Sequence, residues 1–283
     1  MADVIAVDVG GTKLSAGLVH DNGTLSARVD APTPREGDAE VLFGTLIELV
    51  DALDRSGACA VGAGCGGPMD AHGEHVSPLN IPAWRAFPLR ARLVAHTNLP
   101  VWVDNDAKAL ALGEGWRGAA RGARDFIGMV VSTGVGGGIV LDGRLLDGDT
   151  GNAGHIGHVI VEPGGHECAC GARGCLEAEA SGSAIARITG ASAADAPLEV
   201  RERTGTLVGR AVASVANLLD LPLAVVSGSV AFGYGEPFFA AAQRELDADC
   251  RLDFSRGTKI VPGALGADGP LIGAAQVALQ HLP

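Results

Sequence analysis

Aromatic residues are scarce in this chain: three Trp, one Tyr and seven Phe among 283 residues, or 4%. Its core must therefore be built from Ala, Val, Leu and Ile, and a hydrophobic content of 47% with a mean hydropathy of +0.25 is enough for a sizeable one. No apolar run reaches membrane-spanning length. No basic block exists either, since 21 Lys and Arg stand against 33 Asp and Glu, a formal net charge of -12. That argues against nucleic acid, because nothing is present to meet a phosphate backbone. An anionic substrate must then be held locally, by backbone N–H groups or a metal. No Gly-Lys-Ser/Thr follows a glycine loop at Walker A spacing, which excludes P-loop folds. Met1-Ala2-Asp3 runs straight into Val4-Ile5-Ala6-Val7 without the basic start of a secretory signal, so the expected compartment is the cytoplasm.

Glycine is abundant, with 42 residues clustered in particular loops, a sign of tight turns and close backbone approach to ligands. The length suits two ordinary domains or one large one. Strands are predicted at 4–9, 14–19, 25–31, 59–64, 101–103, 126–132, 137–141, 223–227 and 259–262. Helices are predicted at about 38–55, 107–116, 178–189, 205–219, 236–248 and 271–281, while 78–88 and 148–177 read as loop and turn. A strand, glycine turn and strand appear at 4–19 and again at 126–141. Two similar halves and a chance likeness of hairpins explain this equally well.

Four groups of residues carry candidate chemistry. Asp8-Val9-Gly10-Gly11-Thr12-Lys13 leaves a buried strand through a turn whose N–H groups can approach phosphate oxygens, with Asp8 placed to hold Mg²⁺ through water. An ordinary β-hairpin tip is the plainer reading. Ser132-Thr133-Gly134-Val135-Gly136-Gly137-Gly138 repeats the device with more glycine, and backbone close to a polyphosphate is the favoured explanation. Asn105-Asp106 lies where a strand meets a helix. Asp106 there is either a helix cap or the carboxylate that takes a proton from an attacking hydroxyl. His158, Cys168, Cys170 and Cys175, spaced H-x9-C-x-C-x4-C, fit a closed tetrahedral zinc site, with His166 a competing fourth ligand. Cys59, Cys65 and Cys250 read as small core residues.

Taken together these motifs resemble the ROK family of sugar kinases and related repressors along nearly the whole chain. Asp8–Lys13 is similar to the family's first phosphate motif. Val131, Gly134, Gly136, Gly138, Gly148, Gly154 and Gly157-His158 keep its signature spacing, and Cys168–Glu177 is similar to its zinc motif. The resemblance implies an α/β, actin-like ATPase (ribonuclease H-like) fold of two domains with a cleft between them. The smaller would be 1–106 plus the C-terminal helix at about 266–283, and the larger 107–265. It implies ATP with Mg²⁺, a structural Zn²⁺ held by His158, Cys168, Cys170 and Cys175, and a hexose or amino-hexose phosphorylated at its primary hydroxyl with Asp106 as general base. Asn105, His155, His158, Glu177 and Gly67 would meet the sugar. Asp8, Gly10, Gly11, Thr12, Lys13, Thr133 and Gly134 would line the phosphate path, with Gly228 near the nucleotide. A homodimer or homotetramer is expected on the same ground.

One departure stands out. The family's kinases carry Glu-x-Gly-His before the zinc motif, where this chain reads His155-Ile156-Gly157-His158. Imidazole offers one donor and one acceptor, whereas a carboxylate accepts from two hydroxyls, so the sugar is expected to be read differently here. Three rival functions stand beside this one. A repressor would place a DNA-binding domain before a motif that here starts at residue 8. A zinc hydrolase would need an open metal position that four protein ligands leave no room for. A catalytically weak sugar-binding regulator of the same family remains the alternative.

Overall fold

The computed structural model describes residues 3–282 and divides into two compact units. The first takes the chain up to Arg117, the segment Asp147–Ala153 and everything from Leu265 on. The second takes Gly118–Leu146 and Gly154–Ala264. The helix after Asp106 thus goes with the first unit, beyond the boundary drawn from sequence at 106.

In the first unit, β1 (Asp3–Val9), β2 (Lys13–His20) and β3 (Leu25–Pro32) form an antiparallel meander. Then β4 (Ala58–Cys65) and β5 (Val101–Asn105) add in parallel on the other side of β1, giving the order β3-β2-β1-β4-β5. The burial of consecutive residues in β1 and β4 marks them as central strands covered on both faces. Helix α1 (Ala39–Asp51) supplies Leu42, Phe43, Leu46, Leu49 and Val50 to the core. Its start is set by Asp38, whose carboxylate accepts from the N–H groups of Glu40 and Val41, a cap worth about 1 kcal/mol. The few aromatics are concentrated: Trp84 is fully buried, stacks on Phe87 at 4.3 Å and donates its indole N–H to the Ala39 carbonyl, which anchors the loop at 78–88.

Helix α2 (Leu89–Thr97) is absent from the sequence reading, because it buries only Leu89 and Leu93 and has little apolar period to detect. Helix α3 (Asp106–Arg117) follows β5 directly. The last helix of the chain, Gly269–Leu279, packs on α3, β4 and β1. Glycine makes that approach possible: a Cβ at Gly62 of β4 would run into the carbonyl of Ala274.

The second unit repeats this plan. β6 (Phe126–Val131), β7 (Val135–Leu141) and the short β8 (Arg144–Leu145) form the meander. β9 (Leu223–Ser227) and β10 (Lys259–Pro262) then add in parallel, giving β10-β9-β6-β7-β8. The two sheets share one topology, so the weak repeat of strand, glycine turn and strand reflects two similar halves. The helix predicted at 178–189 is two helices, α4 (Leu176–Ala180) and α5 (Gly182–Thr189). Ser181 between them is extended, and its hydroxyl caps α5 by accepting from Ala184 N–H. Helix α6 (Leu198–Leu219) starts about two turns earlier than expected, behind Pro197. It packs on α8 (Glu236–Asp249), with the short α7 (Ser229–Tyr234) before it, and α9 is the final helix at Gly269–Leu279. Cys65 and Cys250 are buried as expected, and Cys59 is half-buried. Among the described residues no helix is long and apolar enough to cross a membrane.

Candidate active site and metal centre

Register brings the acidic residues of the first unit together. Asp8 pairs with Gly64 and Gly64 with Asp104, so the ends of β1, β4 and β5 lie side by side. A Cβ on Gly64 would stand 3.4 Å from the Cα of Asp106 and 3.8 Å from Oδ1 of Asp8. Two acidic residues therefore flank a position with no side chain. Burial, followed by the charge of Asp106, pushes the Asp8 carboxyl up to about 7, with Lys13 and Arg28 pulling the other way. A carboxyl held there is readily ionised by a cation.

Asp106 is the first residue of α3, where the helix dipole favours an anion. Its Oδ1 accepts from Ala107 N–H at 2.8 Å. Asn105 Oδ1 accepts from Ala107 N–H at 3.0 Å and from Lys108 N–H at 3.4 Å, so capping falls largely to Asn105. With its Oδ1 so engaged, the side chain of Asn105 has its Nδ2 as donor.

The first glycine turn is narrower in its uses than the sequence implied. Gly10 donates its N–H to the Lys13 carbonyl at 3.0 Å, and Thr33 Oγ1 donates to the Gly10 carbonyl at 2.6 Å. The N–H groups that the turn can present are thus those of Gly11 and Thr12. Gly11 is also forced by packing, since a Cβ there would lie 2.7 Å from Cβ of Asn80. Thr12 and Lys13 are exposed, and Lys13 Nζ lies 3.7 Å from Asp30. Gly67 sits in a loop that runs against 77–79, its carbonyl accepting from Leu79 N–H at 3.1 Å.

In the second unit the glycine-rich run splits by role. Thr133 and Gly134 lie in the turn between β6 and β7, with Thr133 exposed. Gly136, Gly137 and Gly138 are inside β7. A Cβ on Gly137 would lie 2.9 Å from Ile156 and 3.2 Å from the Gly154 carbonyl. Close seating of the segment at 154–157 therefore accounts for that glycine, where proximity to a polyphosphate was expected. Around the turn, Gly182 N–H donates to the Ser132 carbonyl at 2.7 Å, Ser183 N–H to the Thr133 carbonyl at 3.2 Å, and the hydroxyls of Ser132 and Ser229 are 2.9 Å apart. Gly228 has φ 109°, and a Cβ there would strike the Val131 carbonyl, so only glycine fits beside this turn.

His158, Cys168, Cys170 and Cys175 come together with their ligand atoms all within 4.8 Å of one another. Cys170 and Cys175 sulfurs are 3.7 Å apart, as are Cys168 Sγ and His158 Nδ1. Tetrahedral zinc with bonds of about 2.0–2.3 Å needs separations of roughly 3.5–3.8 Å, so these four residues fit the ion. His166 lies elsewhere: its Nδ1 is 3.0 and 3.1 Å from the two oxygens of Glu179, and its N–H donates to Glu179 at 2.6 Å. The choice of fourth ligand left open by the spacing falls to His158. Cys175 occupies the N-cap position of α4, so Glu177 is in that helix's first turn and accepts from Val135 N–H at 3.0 Å. His155 is exposed, its ring centroid 5.9 Å from that of His158.

Two residues that the sequence reading passed over have defined places. Glu179 is fully buried and accepts from Arg203 at 2.8 Å as well as from His166, which ties the metal loop to α6. Lys108, 2% exposed, is bound by Asp104 and Asp147. Its one legible signal was the i, i+4 spacing to Asp104.

The ROK family's sequence profile matches residues 4–281. A glucokinase from Thermotoga maritima is 32% identical, over 99% of this chain and 98% of its own length. An N-acetylmannosamine kinase from Haemophilus influenzae is 35% identical, over 96% of this chain and 93% of its own. The crystal structure of a ROK family glucokinase from Streptomyces griseus in complex with glucose and AMPPNP matches with a TM-score of 0.87 at 29% identity, covering 99% of this chain and 100% of that one. With a family profile running over nearly its entire length and two five-stranded sheets of like topology, this chain belongs to the ROK family, as an ATP-dependent sugar kinase of the actin-like ATPase fold.

Proposed function

We propose that the chain transfers the γ-phosphoryl group of ATP to the primary, 6-position hydroxyl of a hexose or amino-hexose, with Asp106 as general base. The observation that carries this reading is the placement of Asp106, at the start of α3 and beside Asp8 across the bare Gly64. Asp106 accepts the hydroxyl proton as the sugar oxygen forms its bond to phosphorus and the bond to ADP breaks. Asn105 orients the sugar through its amide, and His155, His158, Glu177 and Gly67 supply further contacts. Asp8 holds Mg²⁺, which neutralises phosphate charge, while Gly11, Thr12, Lys13, Thr133, Gly134 and Gly228 serve the nucleotide. His158, Cys168, Cys170 and Cys175 hold Zn²⁺, a closed site that stabilises its loop. A homodimer or homotetramer in the cytoplasm, without nucleic acid, completes the reading.

The names of the two relatives, a glucokinase and an N-acetylmannosamine kinase, support a hexose or amino-hexose. His155, in place of the family's usual carboxylate, favours a second reading, a catalytically weak sugar-binding regulator. An ATP-consumption screen over hexoses and aminohexoses separates the two. Asp106→Ala should then lower kcat by about two to four orders of magnitude while sugar binding stays measurable. Turnover like that of the wild type would remove Asp106 from the mechanism.

A further inference from the structure

Lys108 stands two residues after Asp106 on α3 and is only 2% exposed. An ammonium withdrawn from water is costly unless each of its three donors is met. Here each is: Asp104 Oδ1 at 3.0 Å, Asp147 Oδ1 at 2.7 Å and the Gly151 carbonyl at 3.0 Å. Replacing such a lysine and its carboxylate partners together by apolar residues is often neutral for stability, so the ion pair itself is not explained by stability. The three partners come from two places. Asp104 is at the end of β5, and its Oδ1 also accepts from Asn105 N–H at 2.7 Å. Asp147 and Gly151 belong to the segment 147–153, which is part of the first unit although the chain on both sides of it belongs to the second.

That segment is closed and pinned. Ala153 N–H donates to the Asp147 carbonyl at 2.9 Å. Asn152 Nδ2 donates to the Met69 carbonyl at 2.9 Å, two residues beyond Gly67. His155 follows two residues after the segment ends. We propose that Lys108 is a positioning residue for the sugar, clasping the segment 147–153 to the turn that carries Asn105 and Asp106. The proposal rests on the reading of those residues and His155 as the sugar site. Through Asp104 the ammonium sets the Asn105 peptide, and through Asp147 and Gly151 it fixes where the chain sets out toward His155. The hydrogen bonds of this network include none of the residues assigned to the nucleotide, so the ATP KM should be indifferent to it.

The test uses the full chain, its best sugar from the screen, and Lys108→Met. The expected result is a sugar KM raised by about tenfold or more with the ATP KM within about twofold. Metal content should be unchanged, and amide exchange across 147–153 should quicken. Asp147→Ala changes a side chain that is itself mostly exposed, leaves Asp104 and the Gly151 carbonyl on the ammonium, and should shift the same parameters less. The double variant should be no worse than Lys108→Met alone. An unchanged sugar KM, or a fall in kcat with both KM values intact, overturns the clasp and leaves Lys108 a merely structural residue. Should Lys108→Met not fold, Asp147→Ala decides on the same readings. A wild type that consumes no ATP with any sugar would defeat the functional reading instead, and the exchange data would still judge the clasp.

Discussion

Glu177 accepts a hydrogen bond from the backbone N–H of Val135 at 3.0 Å, which joins the first turn of α4 to the turn between β6 and β7. Since Cys175 occupies the N-cap position of α4, whatever holds Cys175 also holds Glu177 and, through it, Val135. The metal cluster and the glycine turn are thus one mechanical element.

Purified protein should accordingly hold about one zinc per chain. Cys170→Ser should release it, lower the melting temperature and reduce activity by at least roughly tenfold, because the loop that places Glu177 loses its tie. Elemental analysis, a thermal melt and a kinetic assay on one preparation check this. A metal-free protein of full activity would mean that the cysteines serve another purpose.

Asp8 makes stability depend on pH in a definite direction. Its folded-state value of about 7 lies above the ordinary 3.8, so the folded protein binds more protons than the unfolded one between those values. Its contribution is full below about pH 4 and is lost as pH rises through 7, a change on the order of 4 kcal/mol at most. Asp8→Asn should gain stability relative to the wild type as pH climbs from 4 to 8, while losing activity. Urea unfolding of both proteins at several pH values measures the difference. A constant gap across that range would show that Asp8 ionises normally.

Gly228→Ala probes the nucleotide side. With φ at 109° and the Val131 carbonyl in the way, an added Cβ forces the backbone to shift at a cost of about 1–3 kcal/mol. The melting temperature should drop and the ATP KM rise, with the sugar KM steady. If the sugar KM moves and that for ATP does not, Gly228 has been assigned to the wrong substrate.

The boldest expectation concerns His155. His155→Glu restores the carboxylate usual in the family's kinases and should shift preference toward glucose, since Glu accepts from two adjacent hydroxyls and imidazole cannot. The check is kcat/KM for glucose, mannose, allose, N-acetylmannosamine and amino-substituted glucose in both proteins. An unchanged ranking would send the search for specificity to Gly66-Gly67-Pro68 and the segment 80–84.

Local patterns made much of this legible in advance. The cysteine spacing announced the cluster, because four ligands close in sequence need little help from the fold to meet. Strands β1, β2 and β6 and helices α1 and α8 were visible because apolar period is a local property. Helix α2 was not, since only Leu89 and Leu93 face inward and the rest of its residues carry no period. Sequence alone determined the family, marked the Cys/His cluster apart from the choice of histidine, and singled out Asp8 and Asp106 as separate candidates. Only the tertiary structure decided that Gly10 spends its N–H inside its own turn and that His166 turns to Glu179 while His158 joins the thiols. Only it brought Lys108 to Asp147, 39 residues away. The physical reason is common to all three. A donor takes whichever acceptor the folded backbone brings within reach, and spacing along the chain does not say which one that is.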